Sequence, residues 1–284
     1  MEYNHIQNLD ADTVTGFGEE WVKFDQSNLD RVERDKIAMA YFSALPVACL
    51  HPAASVMDVG CGSGRWAQFV APKVDTLTLV DASPAALNVA RRNLANVNNV
   101  EFFERSVAEL PGEDESYDVI YSLGVLHHIP DTGAGISACV AKLKPGGYFL
   151  VYLYYSLDNR SAWFRSIWRA SDVLRRSISK LPGAPKKVVA EVIAASVYWP
   201  LSRIAMLIEK AGRNASSFPL SAYRDKSFYT MRTDALDRFG TRLEHRYSQA
   251  QIREMLTTHG LVDVTFRTEE PFWCASGKKQ RNEQ

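Results

Sequence analysis

Asp58-Val59-Gly60-Cys61-Gly62-Ser63-Gly64 follows an apolar, β-branched run, Ser55–Val59, and opens a helical pattern. Glycine is needed at such a turn because the chain reverses sharply and a ligand must approach the backbone closely. Outward from this point, similar runs at Leu77–Val80, Val100–Phe103, Val119–Ser122 and Tyr148–Tyr155 read as buried strands. Ser83-Pro84 supplies an N-cap followed by proline at the first helical position, opening a helix to about Leu94. Asp131 is placed to cap a second helix running to Leu143, after which Lys144-Pro145-Gly146-Gly147 reads as a turn. Near the C-terminus, Ser248 and Gln251 form a capping-box pattern, Gly260 stops that helix, and Leu261–Arg267 and Pro271–Ser276 are further strand candidates. Strand–helix–strand alternation with short connections predicts an α/β, doubly wound, mainly parallel sheet covered on both faces.

The second strand ends at Asp81, 21 residues after Gly60. A carboxylate at that strand tip can accept hydrogen bonds from both hydroxyls of a ribose. The loop is GxGxG rather than the GxGxxG that seats a pyrophosphate, so a nucleoside ligand without phosphate fits it better. A tight structural turn beside an exposed aspartate is the plainer reading, and the ordered strand, loop, helix, strand and acid weigh against it.

Five motifs in order, VMDVGCGSGRW (56–66), LVDAS (79–83), SVAELP (106–111), YDVIYSLGVLHHIPD (117–131) and LKPGGYFLV (143–151), resemble the class I S-adenosylmethionine-dependent methyltransferases. The resemblance spans about residues 54–155, with a weaker echo over 246–266. It implies a Rossmann-like core with an antiparallel C-terminal strand, and S-adenosylmethionine as cofactor, leaving S-adenosylhomocysteine. It further implies that Gly60 and Gly62, with Cys61 between them, pass the methionine part of the cofactor, that Asp58 sits near its amino group, and that Asp81 holds the ribose with Ala82 and Ser83 beside it. Val107 would meet the adenine edge through its backbone, while Ser122 and Leu123 line the methionine end. Ser106 stands where the family often has an acid, a departure at the adenine amino group.

Methyl transfer from a sulfonium is an in-line displacement, so much of the protein's work is alignment. A base is needed when the acceptor is a poor nucleophile such as a hydroxyl. His127 and His128 follow the fourth strand at the C-terminal edge of the sheet, where a neutral imidazole can take a proton near pH 7. Catalytic and structural roles both stay open for the pair. No metal site is expected, because adjacent histidines do not converge on one ion. Small size is the simpler reason for Cys61, and Glu113-Asp114-Glu115 reads as a solvated loop.

Three parts are expected: an N-terminal helical arm or lid (1–50), a core (51–156 with 245–279) and a helical insertion (157–244). In the arm, Trp21 and Phe24 share one helix face, as a lid over the cofactor or as an anchor. In the insertion, Arg160 to Lys187 carries eight basic residues against Asp172, so that segment is +7 in a chain of zero net charge. Trp163, Ile167, Ala170, Leu174, Ile178 and Leu181 recur there at helical spacing, the composition of a membrane-surface helix. The face suits peripheral membrane contact through 160–187, a lid over an anionic or lipid-linked acceptor, or packing on a neighbouring helix or a second subunit. The apolar run from Val188 to Leu201 reads as too short and interrupted to span a bilayer.

Of 284 residues, 46% are hydrophobic and 23% charged, which excludes a disordered chain. Thirty-three basic residues match thirty-three acidic ones, which argues against a general nucleic-acid binder. Nor does Ser122-Leu123-Gly124-Val125 carry the Asn/Asp-Pro-Pro-aromatic pattern of base methylation. Four dispersed cysteines fit a reducing compartment, and the polar, acidic first residues read neither as a secretory signal nor as a transit peptide. The expectation is a cytoplasmic methyltransferase, with membrane periphery open, acting on a small, lipid-like or glycan acceptor, a hydroxyl oxygen foremost. A nucleic-acid methyltransferase, an oxidoreductase and a non-catalytic cofactor-binding protein are the alternatives.

Overall fold

A computed structural model describes residues 8–281. The reading of the first seven residues, and the start of the expected arm, lie outside them. In chain order the elements are α1 (Ala11–Lys23), α2 (Arg31–Phe42), β1 (Ser55–Val59), α3 (Ala67–Val70), β2 (Thr76–Asp81), α4 (Pro84–Asn93), β3 (Val100–Glu104), β4 (Tyr117–Leu123), α5 (Thr132–Lys142), β5 (Leu143–Tyr152), α6 (Ala162–Ile178), α7 (Gly183–Ile193), α8 (Trp199–Lys210), α9 (Phe228–Gly240), α10 (Gln249–Thr258), β6 (Leu261–Phe266) and β7 (Cys274–Lys279).

The seven strands form one sheet in the order β3-β2-β1-β4-β5-β7-β6. β1 to β5 pair in parallel, and β7 runs antiparallel between β5 and β6. Adjacent residues of one strand serve opposite cores: Val56, Val119 and Tyr121 face one, Met57 and Ile120 the other. Near-continuous apolar strands are what such a doubly covered sheet demands, each fully buried Val or Leu contributing roughly 1.5–3 kcal/mol. The order in which strands are added reverses at β1 and β4, outward to β3 on one side and to β5 on the other, so the crevice beyond their C-terminal ends is where a ligand site is built.

Local caps follow the sequence. Ser83 accepts from Ala86 N, Asp131 from Ala134 N, and Ser248 and Gln251 form a reciprocal box. Three expectations need correction. Lys144-Pro145-Gly146-Gly147 does not turn the chain but forms a wide bulge inside β5, whose register passes from Tyr117↔Leu143 to Val119↔Tyr148. Gly146 takes φ +85°, and a Cβ on Gly147 would lie 3.0 Å from the Asp118 carbonyl oxygen, so these glycines serve close backbone approach within the sheet. The last strand begins at Cys274 rather than Pro271, because Cys274 N–H first closes a turn onto Pro271 O at 3.2 Å. The run after Val188 is also not interrupted: helix continues from Gly183 to Lys210, 28 residues with a mean hydropathy of 1.3 over its most apolar window, which is long and apolar enough to span a bilayer by length and composition. A π-helical turn over Ala194–Tyr198 widens the backbone just before Pro200, where a proline ring would otherwise strike the preceding turn.

The chain divides into two compact units. One comprises the described residues up to Gln26, Arg34–Ser156 and the chain from Leu243 onward; the other comprises Ser27–Glu33 and Leu157–Arg242. The second has its own small core of Ile178, Ala194, Tyr198, Met231, Ala235 and Phe239. Glu191 and Arg232 close a two-bond ion pair there at 2.6 and 2.8 Å. In α6 the polar residues Asp172 and Arg175 are buried and paired at 2.6 Å, while Trp163, Ile167 and Leu174 are 51–55% exposed.

Candidate active site

The glycine loop lies where β1 ends, and three observations explain its composition. Gly60, Gly62 and Gly64 all take positive φ. A Cβ on Gly60 would lie 2.4 Å from Val125, in the loop after β4, so this residue lets the two central loops cross. A Cβ on Gly62 would lie 2.8 Å from the Trp21 indole, so α1 packs directly on the loop. Arg65 lies over the rings of both Trp21 and Trp66, at 5.4 and 4.2 Å. Phe24, one turn on, is buried.

Two carboxylates border the loop. Asp81, at the tip of β2, accepts from Gly62 N at 2.9 Å through Oδ2 and from Ser83 N at 2.8 Å through Oδ1. Burial raises its pKa, and those two amides offset part of the rise. Each oxygen retains a second lone pair, which a pair of vicinal hydroxyls can use. Asp58, on β1, is almost wholly buried, and its Oδ2 has no hydrogen-bond partner. Burial pushes its carboxyl up to about 8, with the Tyr121 hydroxyl offsetting part of the rise and Asp81 adding to it. An orphaned buried carboxylate oxygen costs about 1–3 kcal/mol, and a cationic amino group is the partner that removes that cost. The Ser63 hydroxyl, also buried and unpartnered, is a second polar atom in the loop, and sequence reasoning did not single it out. These features fit the amino-acid end and ribose of an S-adenosyl cofactor.

Other expected contacts sit around the same crevice. Ser106 Oγ accepts from Ala108 N, and Val107 is buried beside it. Ala82 is half-buried between Asp81 and the capping Ser83. Leu123 is buried at the end of β4, whereas the Ser122 hydroxyl donates to Val59 O at 2.9 Å and ties β4 to β1. The Cys61 thiol is buried and its pKa raised well above the usual range, so it is not a thiolate.

His127 and His128 lie beyond β4 and are both buried. His128 Nδ1 lies 2.7 Å from Leu243 O; a carbonyl can only accept, so Nδ1 carries the proton and Nε2 presents its lone pair. His127 differs. Neither of its ring nitrogens has a partner, and burial, then His128, Arg246 and His245, hold its pKa well below 6.5. The imidazoles lie in a ladder of rings: Phe17 of α1 on His128 at 5.0 Å, His128 on His127 at 4.0 Å, His127 on Tyr154 at 3.9 Å, and Arg246 over Tyr154 at 5.0 Å. Phe17 belongs to the same arm segment as Trp21, whereas Tyr154 and the Glu244-His245-Arg246 run were missed from the sequence as site residues. A Glu-His-Arg triplet just before the Ser248 capping box was the available signal. Among the described residues, no cluster of His, Cys, Asp and Glu could hold a metal ion.

Residues 56–147 match the methyltransferase domain family. Curated relatives include a ubiquinone biosynthesis O-methyltransferase of Alkalilimnicola ehrlichii, 36% identical over 34% of this chain and 39% of the relative. The enzyme of the same name from Xanthomonas axonopodis pv. citri is 32% identical over 56% of this chain and 64% of its own length. The chain thus matches between about two fifths and two thirds of these relatives' lengths. A solved structure, the DhpI–SAH complex, aligns with 97% of this chain and 98% of its own at a TM-score of 0.58 and 15% identity, a likeness of fold.

Proposed function

We propose, on the premise that this chain carries a class I S-adenosylmethionine-dependent methyltransferase domain, that it is an enzyme transferring the cofactor's methyl group to a hydroxyl oxygen of a small acceptor. The observation that carries the reading is the pair of carboxylates flanking the glycine loop, with Asp58 Oδ2 buried and unpartnered and Asp81 able to accept two further hydrogen bonds. When bound, the cofactor supplies an activated methyl group. The chain's own residues do the rest. Asp58 meets the cationic amino group, Asp81 the ribose, and Gly60 and Gly62 leave room for the chain between them. His128, with a proton fixed on Nδ1, would take the proton of the acceptor hydroxyl at Nε2. His127 stays neutral beside it as a hydrogen-bonding group. The curated relatives' name, O-methyltransferase, supports oxygen as the target.

Isothermal titration calorimetry with S-adenosylhomocysteine tests the cofactor half. The wild type should bind it and not NAD, and Asp81→Ala should weaken it strongly, each lost charge-assisted bond being worth ~1.5–3 kcal/mol. An unchanged dissociation constant would remove the ribose assignment. Methyl transfer from labelled cofactor into a cell extract tests the reaction itself.

The second unit carries a separate reading: a basic, apolar surface that meets an anionic membrane at its periphery. Trp163, Ile167, Val173 and Leu174 of α6 are all more than half exposed, and Arg169 stands exposed among them. Arg175 is no part of that surface, being buried on Asp172 and Thr241 O. All four cysteines are free, in keeping with a cytoplasmic enzyme.

A further inference from the structure

The segment Leu243–Tyr247 returns the chain to the sheet through the histidine end of the crevice, and hydrogen bonds pin it along its length. Leu243 O meets His128 Nδ1 at 2.7 Å, His245 N donates to His127 O at 2.9 Å, Tyr247 N donates to Tyr154 O at 2.9 Å, and the Tyr247 hydroxyl donates to Thr132 Oγ1 at 2.9 Å. Within this fixed segment Arg246 reaches Glu244 Oε1 at 2.6 Å and Tyr155 O at 3.1 Å, and lies over the Tyr154 ring that also stacks on His127. The Glu244 side chain is 2% exposed. Its second oxygen, Oε2, has no partner, and neither has His245 Nε2 or either ring nitrogen of His127.

One carboxylate oxygen is therefore held by an arginine, and the other is buried with nothing to accept from. A carboxylate oxygen can only accept, so its partner must bring a hydrogen. Of the two Glu244 oxygens Arg246 bonds Oε1 alone, so the part of Glu244 left for a ligand is the unshared Oε2. An anion would face the unshared Oε2 at low dielectric. We infer that Glu244 is a specificity residue of the methyl-acceptor site: its Oε2 accepts a hydrogen bond from a hydroxyl of a neutral acceptor lying against the Tyr154–His127 rings, and its charge turns anionic acceptors away. Arg246 is a positioning residue that fixes which Glu244 oxygen is offered. The inference rests on the methyltransferase reading for the identity of the ligand as acceptor.

The probes are phenol and benzoate, alike in their aromatic ring and opposite in charge, added separately to protein saturated with S-adenosylhomocysteine and followed by saturation-transfer NMR. Glu244→Gln keeps the shape and an oxygen for Arg246 but replaces the other oxygen with an amide donor. Wild type should bind phenol and not benzoate. In Glu244→Gln the phenol affinity should fall about tenfold or more, benzoate should gain a signal, and the dissociation constant for S-adenosylhomocysteine should stay unchanged. Should that variant fail to fold, Glu244→Asp keeps the charge for Arg246 and withdraws the free oxygen by one methylene, with the same loss of phenol expected. Equal phenol and benzoate signals in wild type and variant, with cofactor product bound normally, would overturn the inference and leave Glu244 as a structural partner of Arg246. Absence of any phenol signal in the product-loaded wild type would overturn it as well. Failure of the wild type to bind S-adenosylhomocysteine would instead strike the methyltransferase reading, and this inference with it.

Discussion

The crevice at the end of β1 and the outer surface of α6 break the usual rule of burial in opposite directions. In the crevice, polar atoms are buried without partners: Asp58 Oδ2, Ser63 Oγ, both His127 nitrogens and Glu244 Oε2. On α6, large apolar side chains stand in water while Asp172 and Arg175 turn inward. Each arrangement costs free energy, the first about 1–3 kcal/mol per orphaned group and the second about 25 cal/mol for every Å² of apolar surface left wet. What relieves each cost differs in kind. A small polar molecule with few, directed hydrogen bonds satisfies the crevice, whereas only an extended apolar layer covers the helix. Polarity buried without partners and apolarity exposed in a stripe are therefore two distinct signatures of function, and they call for different experiments.

The sharpest way to break the comparison is at His128. If the crevice is built for proton transfer from a hydroxyl, His128→Ala should lower kcat by about two to four decades while the affinity for S-adenosylhomocysteine stays within a small factor. His127→Ala should cost less, because burial, with His128 and Arg246 adding to it, leaves it weakly basic. Single-turnover rates measured with an identified acceptor check both. Equal activity in the two variants would leave alignment as the whole mechanism.

Much of the crevice was legible in the sequence because its geometry is local. A strand, three glycines, a helix and an acid at the next strand tip stand in fixed order, and caps at Ser83, Asp131 and Ser248 announce themselves by residue type. The segment Leu243–Tyr247 was hidden because nothing local marks it. Glu244 and Arg246 belong to none of the ordered motifs the sequence displays, yet the segment that carries them lies between the histidine loop and the end of β5. The same limit applies to α6. Its spacing revealed an apolar stripe but not its direction, since periodicity is indifferent to which face meets the core. Turn chemistry misled at Gly146 and Gly147, where positive φ and absent side chains serve a bulge as readily as a turn.

A second experiment sharpens the contrast through pH. Asp58 is raised to about 8 from an ordinary carboxylate value, so in the unliganded protein its ionisation is disfavoured by folding. A folded-state pKa above the unfolded one gives stability that is fully present below about pH 4 and is lost as pH rises through the folded value. Asp58→Asn removes that loss. By differential scanning fluorimetry the unliganded variant should match the parent near pH 4 and melt higher by pH 8, about 2–4 °C for each kcal/mol recovered. Its S-adenosylhomocysteine affinity should be weaker at both. A melting difference that does not widen with pH would mean that Asp58 is already compensated, and the crevice would lose one of its orphaned groups.

The smallest effect belongs to α6, and it tests the other half of the comparison. Its apolar side chains point outward beside Arg169, while Arg175 is sequestered and the exposed Arg176 is partly neutralised by Asp172 at 2.9 Å. Arginine near an anionic surface contributes ~1 kcal/mol, so Arg165→Gln and Arg169→Gln should each weaken sedimentation with phosphatidylserine vesicles by about fivefold. Added salt should erode the wild-type attraction, because the screening length falls from ~10 Å at 0.1 M to ~3 Å at 1 M. The apolar stripe should respond differently: Trp163→Ser with Ile167→Ser should abolish binding that survives in high salt, since burial of apolar surface is not screened. A surface that packs on a second copy of the chain predicts another pattern, with no vesicle binding at any ionic strength and a sedimentation coefficient that rises with protein concentration until the serine substitutions are made. The two patterns share no outcome, so one centrifugation series in two salts decides whether the exposed stripe of α6 is a membrane face or a protein interface.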